Sequence, residues 1–443
     1  MKHLKSTRLL IALLLGVLIS TATVAKDLME VYTLALKSDP QLLAEAASRR
    51  AVDELDSQAK AQFLPQFDVS ANTGYIWQEV TTINLTAGKR DFDIHGYTLS
   101  VTQPVYRKQN FIQQTQADIA IEGATASYLI AEQALIIRVS ERYFDVLARQ
   151  DDVTFAIAER EAIAQQLEQI KQRFDVGMAT ITDVAESQAA YDLANAAVIG
   201  TENELANSGE RLRESAGNYI KDLTTLNTDS PLVSPQPTDI DQWSDVALAQ
   251  NPNILVSRSE VDNATQSIKL QKSGHYPTLD LVGQKSYVNQ SDSNFGGSIA
   301  SVQQSLSLQF NLPIDVAGNV RSRTREAEYR LDQSMQNEEQ QRRIVIRQTR
   351  EAYNGVMAGI SRVKALKQAV SSSEIALEST TAGYEVGTRT TVDVLNVRRD
   401  LFRARRDYSQ ARYDYIVNTL RLKQAAGTLG VNDVALVNDW LDS

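Results

Sequence analysis

Cysteine is absent from this chain of 443 residues. That excludes disulfides, thiolate metal sites and a thiol nucleophile, and equally a lipidated cysteine at a mature N-terminus. Histidine is nearly absent as well, limited to His3, His95 and His275. No His-Glu helix motif, nucleophile elbow or phosphate loop accompanies them, so no enzyme, metal site or cofactor is expected. Positive charge is in deficit: 45 Lys and Arg stand against 55 Asp and Glu, a net −10. Phosphate binding needs a basic face, so nucleic acid is not an expected partner. Long apolar runs are missing too. The one candidate, Leu9–Ile19, is far shorter than the roughly 20 residues a membrane helix needs. It follows Lys2, Lys5 and Arg8 and leads into Thr23-Val24-Ala25, which predicts a secretory signal peptide over residues 1–25. Losing those three cations would leave a net −13 from −10. Export without lipidation follows.

Proline is scarce and unevenly placed. None lies between Pro104 and Pro231, and none follows Pro313. An interior proline costs a helix ~3 kcal/mol, so these stretches permit long helices.

What the chain does have is an internal repeat. Ala35-Leu36-Lys37-Ser38-Asp39-Pro40 matches Ala247-Leu248-Ala249-Gln250-Asn251-Pro252, and Pro65, Asp68 and Tyr75 fall on Pro277, Asp280 and Tyr287 at the same spacing. Phe174-Asp175-Val176-Gly177 matches Tyr384-Glu385-Val386-Gly387, and Thr180, Asp183 and Val184 match Thr390, Asp393 and Val394. A tandem duplication is therefore expected, with residues 26–230 and 238–443 as the two copies and a hinge near Pro231, Pro235 and Pro237.

Within each copy two periodicities alternate. Val184, Tyr191, Val198, Leu205, Leu212 and Tyr219 recur every seventh residue, as do Val394, Leu401, Tyr408, Tyr415 and Leu422. A companion stripe, Val397, Ala404, Ala411, Asn418 and Ala425, is mostly small. Heptads with small residues predict closely packed, left-handed supercoiled helices. The preceding helices, about Tyr106–Gln172 and Ala317–Ala382, would each be on the order of 100 Å long. Val176-Gly177 and Val386-Gly387 read as the turns of two helical hairpins, over about 106–226 and 317–427.

Four other segments alternate with period two: about 65–81, 92–104, 277–289 and 298–313. In the first, Phe67, Val69, Ala71, Thr73, Tyr75 and Trp77 oppose Asp68, Ser70, Asn72 and Gly74. In the last, Leu306, Leu308, Phe310 and Leu312 oppose Ser305, Ser307, Gln309 and Asn311. Lys285 interrupts an otherwise mostly apolar row, and Gly296-Gly297 reads as a strand-connecting turn. Such strands fit either a half-buried soluble sheet or a membrane barrel with an aromatic girdle. Four strands cannot close a barrel, since the smallest bacterial ones have about eight. An open edge is not tolerated in lipid, so the membrane alternative requires several chains to share one barrel. A soluble periplasmic scaffold or pump adaptor is the competing class. An adaptor, however, would carry one hairpin and a membrane anchor, whereas two hairpins and four amphipathic strands are present.

The run Ala382-Gly383-Tyr384-Glu385-Val386-Gly387-Thr388-Arg389-Thr390-Thr391-Val392-Asp393-Val394-Leu395 resembles a hairpin turn of the outer-membrane efflux protein family. Arg173-Phe174-Asp175-Val176-Gly177 with Ile181-Thr182-Asp183-Val184 resembles the other turn. Ala411-Arg412-Tyr413-Asp414-Tyr415, His275-Tyr276-Pro277-Thr278-Leu279-Asp280 and Ala425-Ala426-Gly427-Thr428-Leu429 are also similar. The resemblance spans essentially the whole mature chain. It implies a mixed fold of coiled-coil hairpins (an α-barrel) and a twelve-stranded outer-membrane β-barrel shared by a homotrimer. It further implies an exit duct for multidrug efflux and type I secretion, crossing the outer membrane and reaching into the periplasm. The implied partners are a periplasmic adaptor (membrane fusion protein), an inner-membrane pump of the RND, ABC or MFS class, and outer-membrane lipid.

The same resemblance assigns a gate. Tyr384 would bond Asp183 within a chain, and Arg389 would reach Thr182 and Asp183 across a chain boundary, with Gln166 nearby. Arg412, Asp192 and Gln169 match a second tier of links. Asp393 matches a carboxylate ring at the pore entrance. The position three residues on, often a second aspartate, is Asn396. Read without the family, the same polar residues are helix caps or a solvated turn.

Overall fold

The computed structural model describes residues 25–81, 88–228, 230–292 and 297–442. The expected signal peptide lies outside these residues except for Ala25, as does Gly296 of the expected strand turn. In chain order the elements are α1 (Leu28–Ser38), α2 (Pro40–Ala61), β1 (Gln66–Val80), β2 (Gly88–Arg107), α3 (Lys108–Asp175) and α4 (Ile181–Ala216). The second half supplies α5 (Ile240–Gln250), α6 (Pro252–Lys272), β3 (Thr278–Gln290), β4 (Ile299–Asn311), α7 (Asn319–Glu385), α8 (Thr391–Ala425) and α9 (Val431–Asn438). Two compact units result. One comprises Met1–Leu43, Ala131–Ala249 and Ile346–Ser443; the other comprises Ala44–Ile130 and Gln250–Val345. Each unit thus draws on both halves of the sequence, and α3 and α7 contribute to both units.

Heptad reading alone gave no sign of the short helices α1, α2, α5 and α6. They are set by an acid or amide before a proline. Asp39 ends α1 and its carboxylate accepts the amides of Gln41 and Leu42, so Pro40 opens α2. Asn251 accepts from the amide of Asn253, and Pro252 opens α6 in the same way. Proline suits the first helical turn because that N–H has no partner to lose. Asp39 is 2% exposed, and Arg138 forks onto both of its oxygens at 2.8 and 3.2 Å.

In the first unit, α8 buries its heptad face. Val394, Leu401, Tyr415 and Leu422 are buried, together with Ala411 of the small stripe. The core gathers Tyr143, Phe144 and Leu147 of α3 against Tyr413, Ile416 and Leu420 of α8, with the Phe144 and Tyr413 rings stacked at 5.7 Å. The α4 stripe stops earlier than its periodicity suggested. Gly217, at φ 76°, caps α4, and Tyr219 lies past its end. A Cβ there would sit 2.9 Å from the Ser38 Cβ, so only glycine fits. The chain then pairs Leu223 with Lys26 and Leu226 with Leu441, while the Tyr143 hydroxyl donates to the Thr224 carbonyl at 2.7 Å.

The second unit holds one antiparallel sheet in the order β1-β2-β3-β4. Its register brings the apolar rows of β1 and β4 onto one face with Leu99, Val101, Tyr97 and Tyr287, while Ile76, Phe92, Ile94 and Val282 lie on the other. Phe67, Val101, Gly283 and Leu306 form one row across it; Ala71, Tyr97, Tyr287 and Val302 form another. Tyr97 and Tyr287 stack at 5.5 Å, and Tyr75 meets Trp77 edge-on at 4.9 Å. Phe67, Val69, Leu306, Leu308 and Phe310 are each more than 60% exposed. So large an apolar surface requires lipid or another chain against it. Both outer strands, β1 and β4, offer unpaired edges within the chain. No helix among the described residues is long and apolar enough to cross a membrane.

Candidate gate at the helical hairpin turns

The two hairpin turns are built alike. Gly177 (φ 77°) and Gly387 (φ 80°) let the chain leave α3 and α7. Three residues on, Thr180 and Thr390 open the next helices through reciprocal capping boxes. The Thr180 amide and hydroxyl donate to Asp183 Oδ2 at 2.9 and 2.7 Å, and the Asp183 amide donates back at 3.1 Å. For Thr390 and Asp393 the corresponding distances are 2.9, 2.9 and 3.2 Å. Hydrogen bonds to the ionised form lower a carboxyl pKa. The Thr180 hydroxyl and amide, followed by the Thr391 hydroxyl, hold Asp183 below the usual carboxylate value. The Thr390 amide and hydroxyl do the same for Asp393, with help from the charge of Arg389. Both acids are therefore anions near neutrality, and both also cap helices.

The pairings expected from the family resemblance differ from those within this chain. Among the described residues no hydrogen bond joins Tyr384 to Asp183. The Tyr384 ring lies under the Arg173 guanidinium at 5.0 Å, and the Asp183 carboxylate is satisfied by Thr180. Arg389 and Thr182 are exposed, and their side chains have no hydrogen-bond partner among the described residues. Gln166 is 6% exposed and accepts from Arg398 at 3.5 Å. The second tier is not assembled within the chain. Asp192 accepts from Gln188 on its own helix at 3.1 Å, and Gln169 is exposed. Arg412 turns away to the linker, donating to the Asn227 carbonyl and to Ser230 Oγ. Nineteen residues separate Arg412 from Asp393 on α8, about 28 Å, so Arg412 sits well away from the turn. Asn396 is exposed and accepts from Arg399 at 3.0 Å.

A second set of links had no signature in the sequence. Arg398 donates to the Ala162 carbonyl and to Gln166, Arg406 pairs with Glu159 at 3.2 Å, Ser409 and Tyr413 both donate to Asp151, and Arg421 pairs with Glu141 at 2.7 Å. Partner numbers fall along α3 as donor numbers rise along α8, as an antiparallel helix pair requires. Burial holds the Arg398 pKa below its ordinary value. The sequence shows these charges. It does not show that α8 lies against α3, and only that adjacency would have paired them.

Four amphipathic strands with open edges, joined to helices that end in polar, capped hairpin turns, define the class: a subunit of an outer-membrane channel, its barrel completed by further copies. The chain belongs to the outer membrane efflux protein family, whose sequence model matches residues 31–218 and 243–428. It is 37% identical over 436 residues to outer membrane protein TolC of Vibrio cholerae, covering 98% of each chain. It is 28% identical to the alkaline protease secretion protein AprF of Pseudomonas aeruginosa, over 93% of this chain and 87% of the relative. A solved structure of CusC superposes with a TM-score of 0.77 at 17% identity, over 91% of this chain and 93% of that one. The fold is accordingly that of the trimeric outer-membrane channels, in which each of three chains gives four strands to one barrel. The protein resides in the outer membrane and reaches into the periplasm. That placement removes the soluble scaffold from contention.

Proposed function

We propose that this chain assembles as a homotrimer into a passive exit duct for drugs and for type I secreted proteins. In this reading the hairpin turns close its periplasmic end. A periplasmic adaptor and an RND, ABC or MFS pump recruit and open it. The observation that carries the gate is the state of Arg389: an exposed guanidinium at the turn, next to Asp393, with no hydrogen-bond partner of its own among the described residues. A guanidinium placed this way can reach Thr182 and the Asp183 carboxylate on a neighbouring copy. Tyr384, held under Arg173, is the second donor, to Asp183 of its own chain. Gln166, gripped by Arg398, ties α3 to α8 just behind the turn. Asp393, repeated three times, would ring the entrance with charge.

The energies suit a switch. A hydrogen bond to a charged group contributes ~1.5–3 kcal/mol, and moving a population from 1:99 to 99:1 takes about 5.5 kcal/mol. Two or three such links therefore supply enough to hold the closed state, yet remain within reach of adaptor binding. The test is envelope leakage. Cells relying on Tyr384→Phe with Arg389→Ser should become several-fold more sensitive to a large antibiotic excluded by the wild-type duct. Equal sensitivity, with equal amounts of trimer in the membrane, would remove these residues from the gate.

A further inference from the structure

One charge stands where lipid should be. Lys285 occupies the apolar face of the sheet, in a row formed by Val69, Leu99, Lys285 and Gln304. The row on its loop side carries the stacked Tyr97 and Tyr287. The row on its helix side carries Phe67, Val101, Gly283 and Leu306. Lys285 makes no ion pair among the described residues. The nearest acids on its own row of β2, Asp93 and Asp91, pair with Tyr75 and Trp77. Asp93 lies six residues along β2 from the Leu99 position opposite Lys285, or ~20 Å. A lipid-facing cation without a counter-charge is costly at mid-bilayer and tolerable near the interface.

Depth decides which case applies. The apolar row of β4 runs from Val302 to Phe310, about 27 Å along the strand. Lys285 faces Gln304, two residues from the loop-side end of that row, or ~7 Å below the tyrosine pair. The helices join the sheet at the opposite end, so the nearer surface is the outer one. A lysine stem at this depth can lie along apolar surface and raise its ammonium to headgroup level. Beside it the sheet is hollowed. A shallow, open depression of about 450 Å³ is lined by Leu99, Val101, Gly283, Lys285, Gln304 and Leu306, among others. Gly283 contributes no side chain, and only a Leu306 methyl, at 3.8 Å, comes within 4 Å of its vacant Cβ position.

We propose that this notch binds a phosphate-bearing acyl lipid of the outer leaflet. The Lys285 ammonium holds the phosphate, the Gln304 amide donates to it, and one acyl chain lies in the trough over Gly283 between Val101 and Leu306. Cation, amide donor and apolar trough lie in the order in which such a lipid presents headgroup and chain. The inference rests on the outer-membrane placement of the sheet and not on the gate, so the gate and the notch can fail separately.

The test uses the full mature chain, purified and delipidated in a neutral detergent, with gel filtration confirming assembly. Native mass spectrometry then counts retained molecules of phosphatidic acid, of diacylglycerol, or of inorganic phosphate. Wild type and Lys285→Arg should retain phosphatidic acid. Lys285→Leu should retain it about fivefold less, as loss of one cationic contact to an anionic surface implies. Diacylglycerol and inorganic phosphate should each bind no better to wild type than to Lys285→Leu. Equal retention of phosphatidic acid by wild type and Lys285→Leu would overturn the proposal. So would retention by wild type of as much diacylglycerol, which needs no cation, or of as much inorganic phosphate, which needs no trough, as of phosphatidic acid. If Lys285→Leu fails to assemble, Lys285→Gln replaces it under the same criterion.

Discussion

Replacing Arg406 and Glu159 singly and together by glutamine measures how firmly α8 is riveted to α3. Their closest approach is 3.2 Å, with the side chains 29% and 14% exposed. At an effective dielectric near 20, two unit charges about 4 Å apart attract by ~4 kcal/mol before desolvation and lost rotamers are subtracted. Both groups retain some water, so that figure must be cut, and a coupling of ~1–2 kcal/mol is expected. Arg406→Gln alone should cost more, about 2–3 kcal/mol, because it leaves the more buried Glu159 without its cation. Arg213 and Glu210 supply the control: the same charges at 3.2 Å on one helix, but 55% and 60% exposed. Such a pair should couple by no more than ~0.5 kcal/mol. Guanidinium chloride unfolding in detergent, followed by tryptophan fluorescence, reads both cycles, since Trp243 and Trp440 belong to this unit. If the Arg406 cycle couples no more strongly than the Arg213 control, the α3–α8 ladder is surface decoration and its proposed role in holding Gln166 falls with it.

Gly217→Ala should lose ~1–2 kcal/mol in the same unfolding assay, because its left-handed φ and the approach of Ser38 both exclude a Cβ; unchanged stability would mean that the end of α4 is free to shift. Asn396→Asp places a second carboxylate one turn from Asp393 and should tighten block by multivalent cations in single-channel records; no change would show that position 396 faces away from the lumen. Asp183 and Asp393 have folded pKa values below the usual 3.8. Their capping contribution is therefore full above that value and lost as pH falls through the lower folded values. Amide exchange protection at the starts of α4 and α8 should therefore hold at neutral pH and fall only in acid, and a loss of protection centred between pH 5 and 7 would contradict the assignment.

Much of the architecture could be read from the sequence because its periods are long and uninterrupted. Proline-free length marks α3 and α7, heptads mark α4 and α8, and strict alternation marks β1 and β4. Legibility failed where one local device overrides a period. Gly217 ends α4 while the heptad runs on to Tyr219, and Asp39-Pro40 and Asn251-Pro252 restart helices that periodicity does not distinguish. At the gate the residue types were visible and their partners were not. Asp183 and Asp393 each satisfy a capping box within three residues, a local demand the sequence does show as Thr180 and Thr390. Where Tyr384, Arg389 and Arg412 reach depends on which helices are neighbours and on which copy supplies the acceptor, and no spacing along one chain contains that. Arg398 and Arg406 were hidden for the same reason, since Gln166 and Glu159 lie more than 230 residues away in sequence.

Single-channel conductance of the purified trimer in a planar bilayer, with and without Tyr384→Phe and Arg389→Ser, tests the gated-duct account most directly. Small wild-type currents that rise several-fold in the double variant are the predicted result. Equal currents would place the constriction elsewhere, and no current from either protein would contradict the duct itself.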